Sequence, residues 1–360
     1  MQIQRFLISN TALPTNKIGS WTNRITYFIK NHSDFFDYIL SPTEQENEQF
    51  RFCQKKSFLK FPLRLKNWQL KNRVGADYIK EIEKLAKPDH LIQILVMDDS
   101  LLLEVLTLFK SQSSLSIELI FSFHGHDLRL NPNVIQRVDK ILFLTNLAYR
   151  RALELNEIFT PEVFIVGNGV RSDLFFPLLK TEKIRKKEDL GFQKEDKLLI
   201  WMSNNRPKKG LHLFLKIVKE IISNDNSFKV LVIGVDPIES ARGQNIQFLG
   251  KIHHEKLPQY LQIGDFYFFT SLWKEGFGLS MVEAAKCGNK IIASDLGGIP
   301  EVLNGFSQAF LVQDPNKVEN WLNAFLTASK DSEYIPDNEY LSQFHSLSKW
   351  LINYKNALTS

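Results

Sequence analysis

The sequence is expected to fold as an α/β protein built from two consecutive Rossmann-like domains, and three observations lead there. Short apolar runs alternate with amphipathic helical patterns, as parallel sheets covered by helices require. The alternation stops once and restarts: residues 176–195 are charged, contain Pro177 and show no strand pattern. The chain has 360 residues, 44% hydrophobic and 24% charged, enough for two ordinary cores.

The first series opens with a strand at 2–9, a loop at 10–20 and a helix from about 21 to 30. Residues 91–97 (LIQILVM) are apolar but for Gln93, as expected of a buried strand. A helix is expected at 101–110 and a strand at 119–123 that ends at His124. Another strand at 140–145 leads into a helix containing 148–155. The strand at 163–166 closes the series before Gly167, Asn168 and Gly169. With 176–195 as linker, the first domain is placed at 1–175 and the second at 176–345.

The second series repeats the scheme. Residues 198–202 (LLIWM) form a strand, 203–210 a loop and 211–222 an amphipathic helix. Further strands are expected at 229–233, 246–249, 266–270 and 290–293, and late helices at 318–329 and about 346–358. Two such domains are expected to leave a ligand crevice at the carboxyl ends of their strands.

Bulk properties exclude some classes. No stretch reaches the roughly 20 apolar residues of a membrane-spanning helix. Residues 1–10 carry Arg5 and read as a strand, not a signal peptide. Two distant cysteines, Cys53 and Cys287, favour a reducing compartment and so a cytoplasmic location, with a single disulfide left open. Net charge is +5, suited to an anionic partner. Residues 51–73 carry Arg51, Lys55, Lys56, Lys60, Arg64, Lys66, Lys71 and Arg73 with no acid, and Phe52, Phe58, Phe61 and Trp68 lie among them. This segment is either a solvated face with an aromatic underside or an interfacial patch for anionic lipid or a lipid-linked acceptor.

The chemistry concentrates in residues 271–303. A strand ends near Thr270, and a loop carrying Glu275, Gly276 and Gly278 precedes a helix that starts near Leu279 and stops at Gly288. The unpaired N–H groups and positive dipole end of such a helix suit a phosphate. Glu275 before the helix start and Glu283 one turn inside it flank that position, and carboxylates accept hydrogen bonds from sugar and ribose hydroxyls. The loop 203–210 presents Arg206, Lys208 and Lys209 ahead of another helix, which suits a diphosphate. On the first domain, Phe121 to Asp127 (FSFHGHD) places His124, His126 and Asp127 at a strand end. A metal site, a general base and a hydrogen-bonding loop are the alternatives there; so tight a cluster is weak evidence for a metal.

The run E-G-F-G-L-S-M-V-E-A, with Glu275 and Glu283 separated by seven residues, resembles the signature of the family 4 (group 1) retaining glycosyltransferases of GT-B fold. Phe277, Gly278, Leu279, Ala284, Gly288, Gly297, Gly298, Pro300 and Glu301 continue the likeness. Lys209-Gly210 resembles the end of the family's G-R-L-x-x-x-K-G loop, but Asn204 stands at the arginine position, which leaves Arg206 to supply that charge or the phosphates to be held with less of it. His124 and Asp127 resemble the family's H-G-x-D element, Gly19-Ser20 its glycine-rich first loop, and 168–177 its N-G-V-D-x-x-x-F-x-P stretch, with Arg171 in place of the aspartate. Residues 346–354 resemble the last helix, which crosses back to complete the N-terminal domain.

The resemblance implies two Rossmann-like domains facing each other across a cleft, the second binding a nucleotide-diphosphate sugar of UDP or GDP type. It implies Glu275 on the transferred sugar, Glu283 on the ribose, and Gly278 and Leu279 amides on the phosphates, with Phe277 beside them. Lys209, Arg206, Asn204 and Gly19 would lie near the diphosphate, and His124 near the sugar. No metal and no separate cofactor are implied, and nucleic acid is not an expected partner. The reaction implied is retaining transfer to a saccharide or lipid-linked hydroxyl, set in bacterial surface polysaccharide, lipopolysaccharide or glycolipid synthesis at the inner face of the plasma membrane. The alternatives are another GT-B enzyme, such as a nucleotide-sugar epimerase, and a non-catalytic donor-binding member. A nicotinamide dehydrogenase is disfavoured because no G-x-G-x-x-G follows the first strand.

Overall fold

The computed structural model describes residues 2–14, 20–59, 65–239, 243, 245–330 and 335–360. Two parallel sheets carry the fold. The first contains β1 (Ile3–Ser9), β2 (Tyr38–Ser41), β3 (Phe50–Phe52), β4 (Leu91–Met97), β5 (Ile117–Ser122), β6 (Lys140–Phe143) and β7 (Glu162–Ile165), in the order β3-β2-β1-β4-β5-β6-β7. The second contains β8 (Lys197–Met202), β9 (Phe228–Ile233), β10 (Ile246–Gly250), β11 (Phe266–Phe269), β12 (Lys290–Ser294) and β13 (Ala309–Val312), in the order β10-β9-β8-β11-β12-β13. All paired strands run parallel. The α/β class expected from the sequence is therefore the class observed.

In each sheet the chain runs outward to one side and then returns to build the other. The reversal lies between β1 and β4 in the first sheet and between β8 and β11 in the second. At such a switch point the loops leaving two neighbouring strands diverge and open a crevice at the carboxyl ends.

The chain divides into two compact units, Met1–Gly167 with Asn353–Ser360, and Asn168–Ile352. The segment beyond Gly167 goes with the second unit because it is woven into it. The Val170 amide donates to the His345 carbonyl at 2.8 Å, the Leu347 amide donates to the Val170 carbonyl at 2.9 Å, and the Phe175 ring is buried beside His254. The stretch 176–195, expected to be an irregular linker, contains the helix Lys180–Asp189. That helix has no apolar stripe for periodicity to reveal. Lys187 is its buried residue, and Lys183 and Lys187 hold it to Asp265 at 2.7 and 3.0 Å.

The cores are aromatic and continuous. In the second unit Trp201, Phe214, Phe268, Trp321 and Phe325 pack over one face of the central strands. In the first unit the last helix, Leu347–Thr359, delivers Tyr354, Ala357 and Leu358, all buried, and the Leu358 carbonyl accepts a hydrogen bond from Gln93. Burying an apolar side chain contributes about 1.5–3 kcal/mol. Deleting Asn353–Ser360 is therefore expected to destabilise the first unit by several kcal/mol. A urea titration followed by circular dichroism checks this: an early transition should appear that the full chain lacks.

Candidate functional site

The loops leaving β8 and β11, on either side of the second switch point, are tied together. The Leu272 amide donates to the Lys208 carbonyl at 2.7 Å, and the buried Thr270 hydroxyl meets the Lys209 and Gly210 carbonyls at 3.1 and 3.0 Å while accepting from the Trp201 indole at 2.9 Å. Gly210 has φ +73°, and a Cβ there would stand 2.0 Å from the Thr270 carbonyl oxygen. Only glycine lets the two backbones approach this closely.

This junction brings Lys209 and Glu275 together. The Lys209 ammonium lies 2.5 Å from Glu275 Oε1, with the side chains 21% and 15% exposed. The Ser271 hydroxyl donates to the same oxygen at 2.5 Å. Glu275 Oε2 has no protein partner among the described residues, and Lys209 uses one of its three N–H bonds. The pair thus keeps an acceptor and two donors for something else. Arg206 and Asn204 are exposed on the same loop, and Lys208 lies over the exposed Trp273 indole at 4.5 Å.

Glu275 is positioned from behind by a turn near the start of the next helix. The Gly298 amide donates to the Glu275 carbonyl at 2.8 Å. Gly297 adopts φ +63°, and a Cβ there would stand 2.6 Å from that same carbonyl oxygen. Three residues beyond Glu275, Gly278 is the left-handed N-cap of the helix Leu279–Lys286, whose first N–H groups have no partner within the helix. Phe277 is buried, edge-on to the His345 ring at 5.0 Å, so in this structure its side chain anchors the loop. Leu279 also turns its side chain inward, leaving its backbone at the helix start.

Glu283, one turn into the helix, is buried and meets His254 Nε2 at 2.9 Å. His254 sits in the turn His254–Lys256 after β10 and packs against Phe175 at 5.3 Å. Arg171, which departs from the family pattern, pairs with Glu255 of that turn at 2.9 Å. Sequence reasoning missed His254 and Ser271. Neither lies in a recognisable motif; Ser271 could have been found from its place at a strand's carboxyl end.

His124 belongs to the first unit. It follows β5, its amide donates to Asp98 Oδ1 at 2.9 Å, its Nε2 lies 2.9 Å from the Ser122 hydroxyl, and the Trp21 indole meets its ring edge-on at 5.7 Å. Burial holds its imidazole down at about 3, so the ring is neutral at physiological pH. Asp127 faces Arg151 at 3.3 Å. Gly19 lies outside the described residues, as do Lys60, Phe61 and Arg64 of the basic segment. Of the remaining cations there, Lys55, Lys56 and Lys66 pair with Asp99, Asp77 and Glu104, while Phe52, Phe58 and Trp68 are exposed. Cys53 and Cys287 are both free and buried. Among the described residues no helix is long and apolar enough to cross a membrane, and no group of three acidic, histidine or cysteine side chains is arranged to hold a metal.

Residues 182–343 match the family model described as glycosyl transferases group 1. The phosphatidylinositol N-acetylglucosaminyltransferase GPI3 subunit of Saccharomyces cerevisiae (strain YJM789) is 30% identical over 204 residues, covering 52% of this chain and 44% of that protein. The chain thus spans about half the length of the curated relatives it matches. Among solved structures, sucrose-phosphate synthase from Thermosynechococcus elongatus superposes with a TM-score of 0.74 at 15% identity, covering 99% of this chain and 98% of that one. The Anabaena protein HepE, in complex with UDP and glucose, superposes with a TM-score of 0.71 at 15% identity and covers 99% of each chain. These likenesses give the fold, which is GT-B.

Two outcomes follow from the geometry. Gly297→Ala should push the Glu275 backbone out of place and cost at least about 1–3 kcal/mol in stability through strain at positive φ; a thermal melt beside Gly297→Ser, equally strained, and a distant surface Gly243→Ala checks it. The second concerns pH. The His124 pKa is about 3 when folded against 6.5 for the free side chain, so the unfolded chain binds the extra proton between these values. The associated stability is present above about 6.5 and is lost as pH falls towards 3, at up to about 1.4 kcal/mol per pH unit. The stability of the natural chain minus that of His124→Gln, measured by urea unfolding from pH 7 to pH 4.5, should therefore fall steadily.

Proposed function

We propose that this chain, whose residues 182–343 match the model of the glycosyl transferases group 1, transfers a sugar from a nucleotide-diphosphate sugar to an acceptor hydroxyl with retention of configuration and without a metal. The observation that carries this reading is the half-used ion pair at the second switch point. A diphosphate needs cations and amide donors, and Lys209, Arg206 and the helix start at Leu279 offer them. The transferred sugar needs an oriented acceptor for its hydroxyls, and Glu275 Oε2 offers one. The ribose needs a fixed carboxylate, and Glu283 held by His254 offers that.

In the proposed reaction the bond between the anomeric carbon and the diphosphate oxygen breaks. The acceptor hydroxyl oxygen bonds to that carbon from the same face, and its proton passes to the departing phosphate. Negative charge grows on the leaving group. Lys209 stabilises it after letting go of Glu275, and the helix-start amides stabilise it in place, at no reorganisation cost. HepE is a UDP-binding protein of this fold, and the GPI3 subunit is named for N-acetylglucosaminyl transfer to phosphatidylinositol. On that basis we favour a UDP- or GDP-linked hexose donor and a saccharide or lipid-linked acceptor in cell-surface polysaccharide, lipopolysaccharide or glycolipid synthesis. The exposed Phe52, Phe58 and Trp68 among partnered lysines fit peripheral contact with a membrane at its cytoplasmic face.

A thermal-shift screen across nucleotide sugars identifies the donor: at about 100 times its Kd it should stabilise the protein by roughly 2.7 kcal/mol. With that donor, Lys209→Ala should lower kcat by about 10²–10³ and Glu275→Ala should abolish transfer. Release of an epimerised nucleotide sugar in place of transferred sugar would establish the epimerase alternative. Unimpaired transfer by Glu275→Ala would overturn the site assignment.

A further inference from the structure

The Glu275 carboxylate has two partners at one oxygen, and they differ in how firmly each is held. Lys209 reaches Oε1 from the end of a four-carbon stem, whereas the short Ser271 side chain reaches it from the main chain of Glu275's own loop. Ser271 is 2% exposed, so its single hydroxyl proton must choose among protein acceptors. Three are within reach among the described residues: Glu275 Oε1 at 2.5 Å, the Lys208 carbonyl at 3.4 Å and the Trp273 carbonyl at 3.5 Å. A short bond to an ionised oxygen is roughly twice as strong as one to a neutral carbonyl, and both carbonyls stand at the outer limit of hydrogen bonding. The proton therefore goes to the carboxylate, and the hydroxyl oxygen faces the Trp273 amide at 3.4 Å. The backbone on either side of Ser271 is pinned. The Thr270 hydroxyl before it binds the Lys209 and Gly210 carbonyls, and the Leu272 amide after it donates to the Lys208 carbonyl.

We infer that Ser271 is a positioning residue for the transfer reaction: it keeps hold of Glu275 Oε1 when a diphosphate draws Lys209 away, and so fixes the plane in which the carboxylate meets the hydroxyls of the sugar. The inference rests on the glycosyl-transfer reading for the identity of the ligand. A diphosphate competes with the carboxylate for the ammonium, because both are anions and the lysine stem is flexible. It does not compete in the same way for Ser271, whose hydroxyl is covered. The terminal torsion of a glutamate is broad and roughly two-fold, so a carboxylate that lost every partner would be free to turn. With one lone pair of Oε1 tied to Ser271, the acceptors left for the sugar are Oε2 and the side of Oε1 that Lys209 has vacated. Ser271 also leaves the half-buried carboxylate one strong hydrogen bond at the moment its cation departs. No proton changes owner in this role: the hydroxyl hydrogen stays on Ser271.

Calorimetric titration of UDP, UDP-glucose, UDP-N-acetylglucosamine, GDP and GDP-mannose into the full chain tests this, each nucleotide sugar being compared with its own nucleoside diphosphate. The nucleoside diphosphate reports on the Lys209 side of the site, and the difference between the two ligands reports on the sugar. Ser271→Ala should weaken the preferred nucleotide sugar about tenfold relative to its nucleoside diphosphate, whose Kd should stay within about threefold and so shows that the variant is folded. Ser271→Cys, of nearly the same size but a weak donor, should lose affinity for the nucleotide sugar in the same sense, and it serves where the alanine variant fails to fold. In a Glu275→Ala background, Ser271→Ala should change the sugar contribution by less than about twofold, because the carboxylate through which Ser271 acts is gone. A parallel weakening of nucleotide and nucleotide sugar, equal in both backgrounds, would mark a merely structural residue and overturns the inference. So does a Ser271→Ala chain that binds nucleotide sugar like the natural chain while Glu275→Ala loses the sugar contribution. If Glu275→Ala itself keeps that contribution, or the natural chain binds none of the five ligands, the glycosyl-transfer reading of the site fails first, and the role of Ser271 with it.

Discussion

Two opposite charges drawn from different strands meet at the carboxyl edge of the second sheet, and much of that unit is arranged to let them. Lys209 comes from the loop after β8 and Glu275 from the loop after β11, strands that are neighbours in space and far apart in sequence. Taking either charge partly out of water alone costs several kcal/mol, so each requires the other, with Ser271 sharing the carboxylate. An ion pair this compact neutralises itself. A ligand bearing a diphosphate and hydroxyls can replace it term by term, phosphate for carboxylate at the ammonium and hydroxyl for ammonium at the carboxylate. The ion pair itself thus leaves no uncompensated charge at Lys209 or Glu275 before a ligand arrives.

The surrounding scaffold follows from that requirement. The β8 and β11 loops approach until Gly210 touches the Thr270 carbonyl, and Gly297 passes under the Glu275 carbonyl. Further from the pair, buried Lys286 donates to the Phe344 carbonyl at 2.9 Å and also binds the Leu341 and Ser342 carbonyls. Burial lowers that lysine to about 8. Its role is mechanical: it fastens the end of the helix Leu279–Lys286 to the short helix Asn338–Gln343 that precedes the last helix of the chain.

What could be read from the sequence divides by how each element is held. Strands β4, β8, β11 and β12 are buried on both faces along most of their length and stand out as mainly apolar runs. Strands β2, β3 and β13 escaped because they are three or four residues long and, in β3 and β13, mostly only half-buried. The helix Ala76–Leu85, although amphipathic, was overlooked beside the conspicuous basic segment before it. The helix Lys180–Asp189 was hidden for a better reason, since ion pairs to Asp265 hold it in place of apolar packing. At the site, Glu275, Glu283 and Lys209 lie in contiguous motifs and were visible. His254 becomes a neighbour of Glu283 only through the fold, whereas Ser271 stands four residues before Glu275 in the same loop. Phe277 matched a motif, yet its ring serves packing.

The account turns on Lys209 and Glu275 being two halves of one diphosphate-sugar site, and calorimetric titration of UDP and GDP into three proteins tests this most directly. Lys209→Met should weaken nucleoside diphosphate binding at least tenfold, whereas Glu275→Gln, which releases the ammonium from its carboxylate, should bind the same nucleotide as tightly as the natural chain or more tightly. Equal affinity in the natural chain and Lys209→Met would contradict the account.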